Sequence, residues 1–271
     1  MLIVTKRDDL NLFRHLLILA KHHELLIQMI HREISSRYRQ TFLGIAWAFI
    51  KPMATVVIFT LIFSGIAKLP SDHLPYPLFL MAGLLPWTMF SVAVTTGISS
   101  LTNQSNLIAK IYFPREILPL ASLAASALDF IIALLFLIAM MIYFQIGLTW
   151  NLLYAIPILI IEILLTFGVT LFLSLVNVWY RDITHAAGLM LQLWMYLTPI
   201  LYPLHLVPET YRAIFGLNPM VGVIEGFRSA MIKGEPPETG LLIVSFCISF
   251  FIFLVGYGLF KLYEFRLADV I

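Results

Sequence analysis

The sequence predicts an all-α integral membrane protein: six transmembrane helices preceded by an N-terminal amphipathic interfacial helix. Three observations carry this. Of the 271 residues, 61% are hydrophobic and 12% charged, whereas soluble domains average about 25% charged residues. Mean hydropathy is +0.94. Six long apolar stretches punctuate the chain, and runs such as 130–141 are apolar on every face, without the ten-residue alternation that barrel strands require.

Residues 10–34 read as an amphipathic helix. Leu16, Leu19, Ala20, Ile27, Ile30 and Ile34 recur at three- and four-residue steps, with Lys21, Glu24, Gln28, His31 and Arg32 elsewhere on the wheel. Asp8 or Asp9 can cap its start. A basic helix of this kind suits the interface of an anionic leaflet. His22, His23 and His31 lack an i, i+4 pair, so no metal site is expected. Spans follow at 45–67, 78–98, 117–144, 152–176, 186–202 and 241–260, against a need for about 20 residues each. The fifth is short. Between the fifth and sixth, residues 203–240 hold Pro203, Pro208, Pro219, Pro236, Pro237 and an apolar stretch at 218–231. Helix breakers around apolar residues predict short re-entrant helices buried in protein, with a plain surface loop as the alternative. The chain, 1–271, reads as a single membrane domain: 1–44 a cytoplasmic or interfacial segment, 45–271 the bundle.

Lysine and arginine set the orientation. With both termini cytoplasmic, that side collects Lys6, Arg7, Arg14, Lys21, Arg32, Arg37, Arg39, Lys51, Lys110, Arg115, Arg181, Lys261 and Arg266; only Lys68, Arg212, Arg228 and Lys233 face outward. A multi-pass protein of the cytoplasmic (inner) membrane is expected. No cleavable signal peptide is visible, and the first span is expected to serve as an uncleaved signal. Net charge of +2 is too mild to argue for nucleic acid. The single cysteine, Cys247, excludes an internal disulfide and reads as a small core residue. No glycine-rich phosphate cradle ending in Gly-Lys-Ser/Thr occurs, so ATP hydrolysis would have to reside on another polypeptide.

Four places carry candidate chemistry. Before the first span, Arg32, Arg37, Arg39 and Lys51 can meet phosphates while Tyr38 and Trp47 suit the interface; topological anchoring explains them equally well. The loop at 99–116 interleaves Ile108, Ile111, Tyr112 and Phe113 with Asn106, Lys110 and Arg115, a pattern that fits either a protein groove or a lipid surface. Pro114 breaks that segment and Glu116 opens the next helix. Asp129 and Glu162 fall inside spans, where a charge costs about 2.5–3.5 kcal/mol; they line a polar path, bond to hydroxyls as neutral acids, or lie near an interface. Arg181 and Asp182 form a local ion pair or contact a partner. Trp87, Phe90, Trp194, Tyr196 and Tyr202 could line a sugar path or sit in an aromatic belt.

Five stretches together are similar to one family. They are Arg32 to Pro52, Tyr76-Pro-Leu-Phe-Leu-Met-Ala-Gly-Leu-Leu-Pro-Trp87, Asn106-Leu-Ile-Ala-Lys-Ile-Tyr-Phe-Pro-Arg-Glu-Ile-Leu-Pro119, Asn177-Val-Trp-Tyr-Arg-Asp182 and Leu217-Asn-Pro-Met-Val-Gly-Val-Ile-Glu-Gly-Phe-Arg228. In order and across nearly the whole chain, they resemble permease subunits of ABC-2 transporters that export O-antigen, capsule or teichoic acid. The resemblance implies a type V-like exporter fold, a homodimer and two copies of a separate ATPase subunit that binds ATP and magnesium. It also implies a lipid-linked polysaccharide substrate of the undecaprenyl-pyrophosphate type. The chain itself would be no enzyme and would hold no cofactor. By the same resemblance the 99–116 loop is the coupling helix, the 203–240 helices stand near the outer exit, and an aromatic-lined channel is implied. Two rivals are kept: an ABC-2 exporter of small drugs or lipids, and a secondary transporter without an ATPase.

Overall fold

The computed structural model describes residues 21–39, 41–68, 70–72 and 74–267. The start of the expected N-terminal helix, with Asp8, Asp9, Leu16, Leu19 and Ala20, and the cations Lys6, Arg7 and Arg14, lie outside the described residues.

The described residues are helical, with ten α-helices joined by short turns. Helix α1 (His23–Tyr38) packs along the first half of α5. Helix α2 (Trp47–Phe59) continues as a wider π-helical stretch, Thr60–Ile66. Helix α3 is Tyr76–Ile98, α4 the short Ser105–Lys110, and α5 Ile117–Tyr143. Helix α6 is Ala155–Trp179 and α7 Ile183–Tyr196. Two helices then occupy the loop expected to be re-entrant, α8 (Glu209–Gly216) and α9 (Pro219–Arg228), before α10 (Thr239–Tyr263).

Five of these segments are long and apolar enough to cross a membrane: Trp47–Ile66, Tyr76–Ile98, Ile117–Tyr143, Trp150–Trp179 and Thr239–Arg266. The fifth expected span, 186–202, is the exception. Its helix α7 has 14 residues, about 21 Å at 1.5 Å per residue, which is short of a hydrocarbon core of roughly 30 Å. Side-chain bonds nevertheless pin this segment at both ends of α3. The Thr184 hydroxyl donates to Asn177 Oδ1 at 3.0 Å, and Asn177 Nδ2 donates to the Ile98 carbonyl at 3.2 Å. Beyond α7, the Leu201 carbonyl accepts from the Tyr76 hydroxyl at 2.9 Å. Helix plus turn therefore bridge the length that α3 covers alone.

Helix α3 is the axis of the bundle. Leu78, Phe79, Leu80, Met81, Leu85, Phe90 and Ile98 on it are among the largest fully buried side chains. It packs on α5, α6, α9, α7 and α2. Helix α2, by contrast, buries only Val56. The most extensive contact is between α6 and α10, and glycine makes it possible. A Cβ on Gly168 would stand 2.6 Å from the Phe253 Cα, and one on Gly256 would strike the Gly168 backbone. Small residues let two helix backbones touch where lipid offers no hydrophobic drive to hold them together. Cys247, read as a core residue, is instead exposed on the outside of α10: that helix is apolar all round, so composition could not tell its inner face.

Of the two helices in this loop α9 is buried and α8 is not, leaving Tyr211 and Ile214 exposed. Proline opens α9, and the Asn218 side chain caps it by accepting from the Met220 N–H. Its last residue, Arg228, is fully buried. The guanidinium donates to the carbonyls of Phe79 (3.3 Å), Pro199 (2.7 Å) and Ile200 (2.5 Å) and to Glu225 Oε1 (2.9 Å). It lies 3.7 Å over the Phe79 ring. A Cβ on Gly83 would stand 2.5 Å from Arg228 Nη2, so only glycine leaves room there. Arg228→Leu is expected to destabilise the protein by about 3–5 kcal/mol, because buried partners lose their only cation. Arg212→Leu, at an exposed pair with Glu209, should change it by less than about 1 kcal/mol. Thermal unfolding in detergent checks both.

Candidate functional site

The last turn of α1 does not stay at the mouth of the bundle. It lies beside Asp129, one residue before the middle of α5. Arg37 Nη1 donates to Asp129 Oδ2 at 2.8 Å, and the Tyr38 hydroxyl donates to Asp129 Oδ1 at 2.6 Å. Arg37 Nη2 also reaches Thr96 (3.1 Å) on α3, Ser126 (3.3 Å) on α5 and Glu33 (3.3 Å). Its Nε is buried without an acceptor among the described residues. Burial, and then the hydrogen bond and charge of Asp129, push the Tyr38 phenol above its usual range, so it remains a donor. Asp129 thus holds a guanidinium and a phenol at the edge of a cavity.

Two cavities meet at this knot. One, of about 550 Å³, is walled by Met81, Leu84, Leu85 and Met89 of α3 and Phe130 of α5; Arg37, Tyr38, Trp47, Lys51 and Asp129 form its polar edge. The other, of about 330 Å³, is lined by polar groups including Arg32, Ser36, Ser99, Asn103 and Gln104. Thr96 borders both. A mainly apolar chamber thus adjoins a mainly polar one, with a guanidinium between them. Arg39 is exposed and lines neither.

The aromatic candidates lie elsewhere. Trp87, Phe90 and Trp194 pack on one another between α3 and α7, with ring centroids 5.1 to 6.4 Å apart, and Trp194 donates to Asn218 at 2.9 Å. They join helices and do not wall the larger chamber. Tyr196 is exposed, and the Tyr202 hydroxyl donates to the Tyr196 carbonyl at 3.1 Å. Burial raises the Tyr202 phenol. Glu162 lies fully buried in α6, both carboxylate oxygens without a partner among the described residues. Glu162 therefore lines neither cavity. The residues that do wall the chamber were not legible, because α3 is apolar around its whole circumference and shows no preferred face.

The 99–116 loop is two-faced. Asn106, Lys110, Ile111 and Tyr112 are exposed, Ile111 at 58% and Tyr112 at 83%. Ile108, Phe113, Pro114, Arg115 and Glu116 are buried. Glu116 pairs with Lys261 of α10 at 2.6 Å. Burial first, and Glu264 second, raise its carboxyl above the ordinary range, while Lys261 opposes them. More than half of the residues expected to dock a partner are thus turned toward the bundle. Arg181 and Asp182 are both exposed and form no ion pair: successive residues point away from each other. Among the described residues no cluster of three or more His, Cys, Asp or Glu could hold a metal.

These features are those of a membrane transport component: a multi-pass helical bundle with a cavity between its helices and a structured loop at one end. The chain belongs to the ABC-2 type transporter family, whose sequence profile matches residues 24–232. It is 31% identical over 235 residues to the O-antigen export system permease protein RfbA of Myxococcus xanthus, covering 85% of this chain and 89% of that protein. It is 27% identical to RfbA of Klebsiella pneumoniae (92% and 95% covered) and 26% identical to the polysialic acid transport protein KpsM of Escherichia coli (76% and 81%). As an ABC-2 permease it is a transport subunit without a catalytic domain, and the family implies an ATPase partner that uses ATP.

Asp129→Ala removes the acceptor shared by Arg37 and Tyr38 and leaves the guanidinium with Glu33 as its one anionic partner among the described residues. Hydrogen exchange over 23–38 is expected to rise at least tenfold, while Glu24→Gln, at an exposed site, leaves it unchanged.

Proposed function

We propose that the chain is the permease of an ATP-driven exporter that carries a lipid-linked polysaccharide outward across the bacterial inner membrane, with both termini cytoplasmic. The observation that carries this is the larger chamber. Its apolar walls suit a hydrocarbon tail, and its edge presents Arg37, Tyr38 and Lys51. Lys51 has no ion-pair partner among the described residues, and Arg37 Nε lacks an acceptor. A phosphate or pyrophosphate would supply both. The polar chamber beyond Arg37 suits the first sugars, so an amphiphile with an anionic junction matches the order of surfaces. The export of O-antigen and polysialic acid named for the relatives agrees with this substrate class.

A chamber of about 550 Å³ has the size of a small-molecule site and cannot pass a polymer. A second copy would complete the pore, and the exposed faces of α2 offer the surface for it: Val57, Ile58, Leu61 and Ile66 are each more than half exposed. Two ATPase subunits would dock on Asn106, Lys110, Ile111 and Tyr112. Binding of ATP there would move the loop and open the bundle.

A strain lacking the chain is expected to accumulate glycan inside the cell and lose it from the surface; unchanged surface glycan would overturn the reading in favour of a small-molecule exporter. Two variants refine it. Lys51→Ala is expected to lower export about tenfold with Lys51→Arg largely retaining it, measured by surface glycan. Ile111→Ala with Tyr112→Ala should reduce co-purified ATPase about tenfold without lowering the thermal midpoint, since both side chains are exposed.

A further inference from the structure

We propose that α10 is a connecting rod that passes the ATPase stroke from the cytoplasmic loop to the outer re-entrant helix α9, engaged through Lys261. The proposal rests on reading the chain as an ATP-driven permease.

The lower attachment is built from the inward half of the loop. Glu116, 1% exposed at its side chain, holds Lys261 Nζ at 2.6 Å. The same ammonium donates to Glu264 Oε2 at 2.9 Å. Glu264 Oε1 accepts the Arg115 backbone N–H at 3.0 Å, and the Glu264 carbonyl accepts from the Arg115 guanidinium. Beneath these bonds Phe113, Ile117 and Leu118 share one apolar cluster with Tyr257, Phe260 and Leu267. The bonds from Glu116 and Arg115 to Lys261 and Glu264 join groups more than a hundred residues apart in the chain, and each uses at least one side chain. The exposed Ile111 and Tyr112 sit immediately before this anchor, so a push on them is delivered to it.

The upper attachment is at the other end of the same helix. Gly222 of α9 lies against Ser245 and the Leu241 carbonyl, and Gly226 against Leu242. Helix α9 ends in Arg228, bonded to the carbonyls of Phe79, Pro199 and Ile200. Helix α10 has 25 residues without an internal proline, a length of about 37 Å. Contact with α6 through Gly168 and Gly256 keeps it straight against a neighbour. An uninterrupted helix fixed at both ends conveys displacement along its axis, and its far end abuts the helix that closes the outer side. Lys261 is thus a positioning residue: it touches neither substrate nor nucleotide.

The test uses the full chain in complex with its ATPase in proteoliposomes. Cys247 is replaced by serine, and nitroxide labels are placed at the exposed Leu148 and Glu238. Wild type should export and show an ATP-dependent change in the label distance. Lys261→Met should keep the ATPase bound and hydrolysing within twofold, yet lose at least tenfold in export together with the distance change. Lys261→Arg should restore more than half of both. Glu116→Gln with Lys261→Met cuts the link without leaving a buried charge, which guards against misfolding, and should match the single variant rather than add to it. Export or the distance change at wild-type level in these variants would overturn the rod. So would loss of the ATPase from Lys261→Met, because the cluster would then serve only to fold the loop. If no ATPase accompanies the wild type, the transporter reading itself fails.

Discussion

A charge inside a bundle surrounded by hydrocarbon has no water to fall back on, and this constraint shapes the whole molecule. Each buried cation must bring its acceptors with it, and those acceptors belong to other elements. Arg37 binds α1 to α3 and α5. Arg228 binds α9 to α3 and to the turn after α7. Lys261 binds α10 to the loop before α5. Apolar contacts in lipid are weakly directional, since a leucine is as content beside a lipid tail as beside another helix. The three cations supply what packing alone would leave loose: which helix sits against which, and at what depth. Glu162 stands apart, a buried acid whose oxygens find no partner among the described residues.

The three fastenings divide the labour of the bundle by depth. Arg37 marks the meeting of an apolar and a polar chamber in mid-bundle. Arg228 secures one end and Lys261 the opposite end. Between the last two runs the α6–α10 pair, joined backbone to backbone at Gly168 and Gly256. A machine that answers ATP on one side by opening on the other needs its ends joined by something stiff, and long helices in close contact are the stiffest parts a membrane domain has.

Much of this was legible in the sequence, and the limits were physical. Span positions followed from apolar length, and the observed helices 76–98, 117–143 and 239–263 lie within three residues of expectation. The short fifth stretch was visible as an anomaly, but not the bonds through Asn177 and Tyr76 that lay it along α3. Which way a ring points on α3 could not be read, because a helix apolar all round has no distinguished face; Trp87 and Phe90 therefore turned out to bind α7 and not to wall the chamber. The loop was legible as a mixed apolar and charged stretch, yet Phe113, Arg115 and Glu116 face inward, since exposure in an extended stretch depends on what packs behind it. Arg37 and Tyr38 were singled out as basic and interfacial; their meeting with Asp129, some ninety residues away, needed the fold.

Three of the four bonds that hold Arg228 end on backbone carbonyls. A carbonyl is the same whatever side chain its residue carries, so the seat for this arginine is written mostly in chain path and hardly in residue identity. Positions 199 and 200 are free to drift among side chains that keep that path, whereas 228 is not: lysine would bring one ammonium where a planar fork of donors is needed. In this chain such a joint ties the end of α9 to a single codon, and leaves the residues around it free to vary.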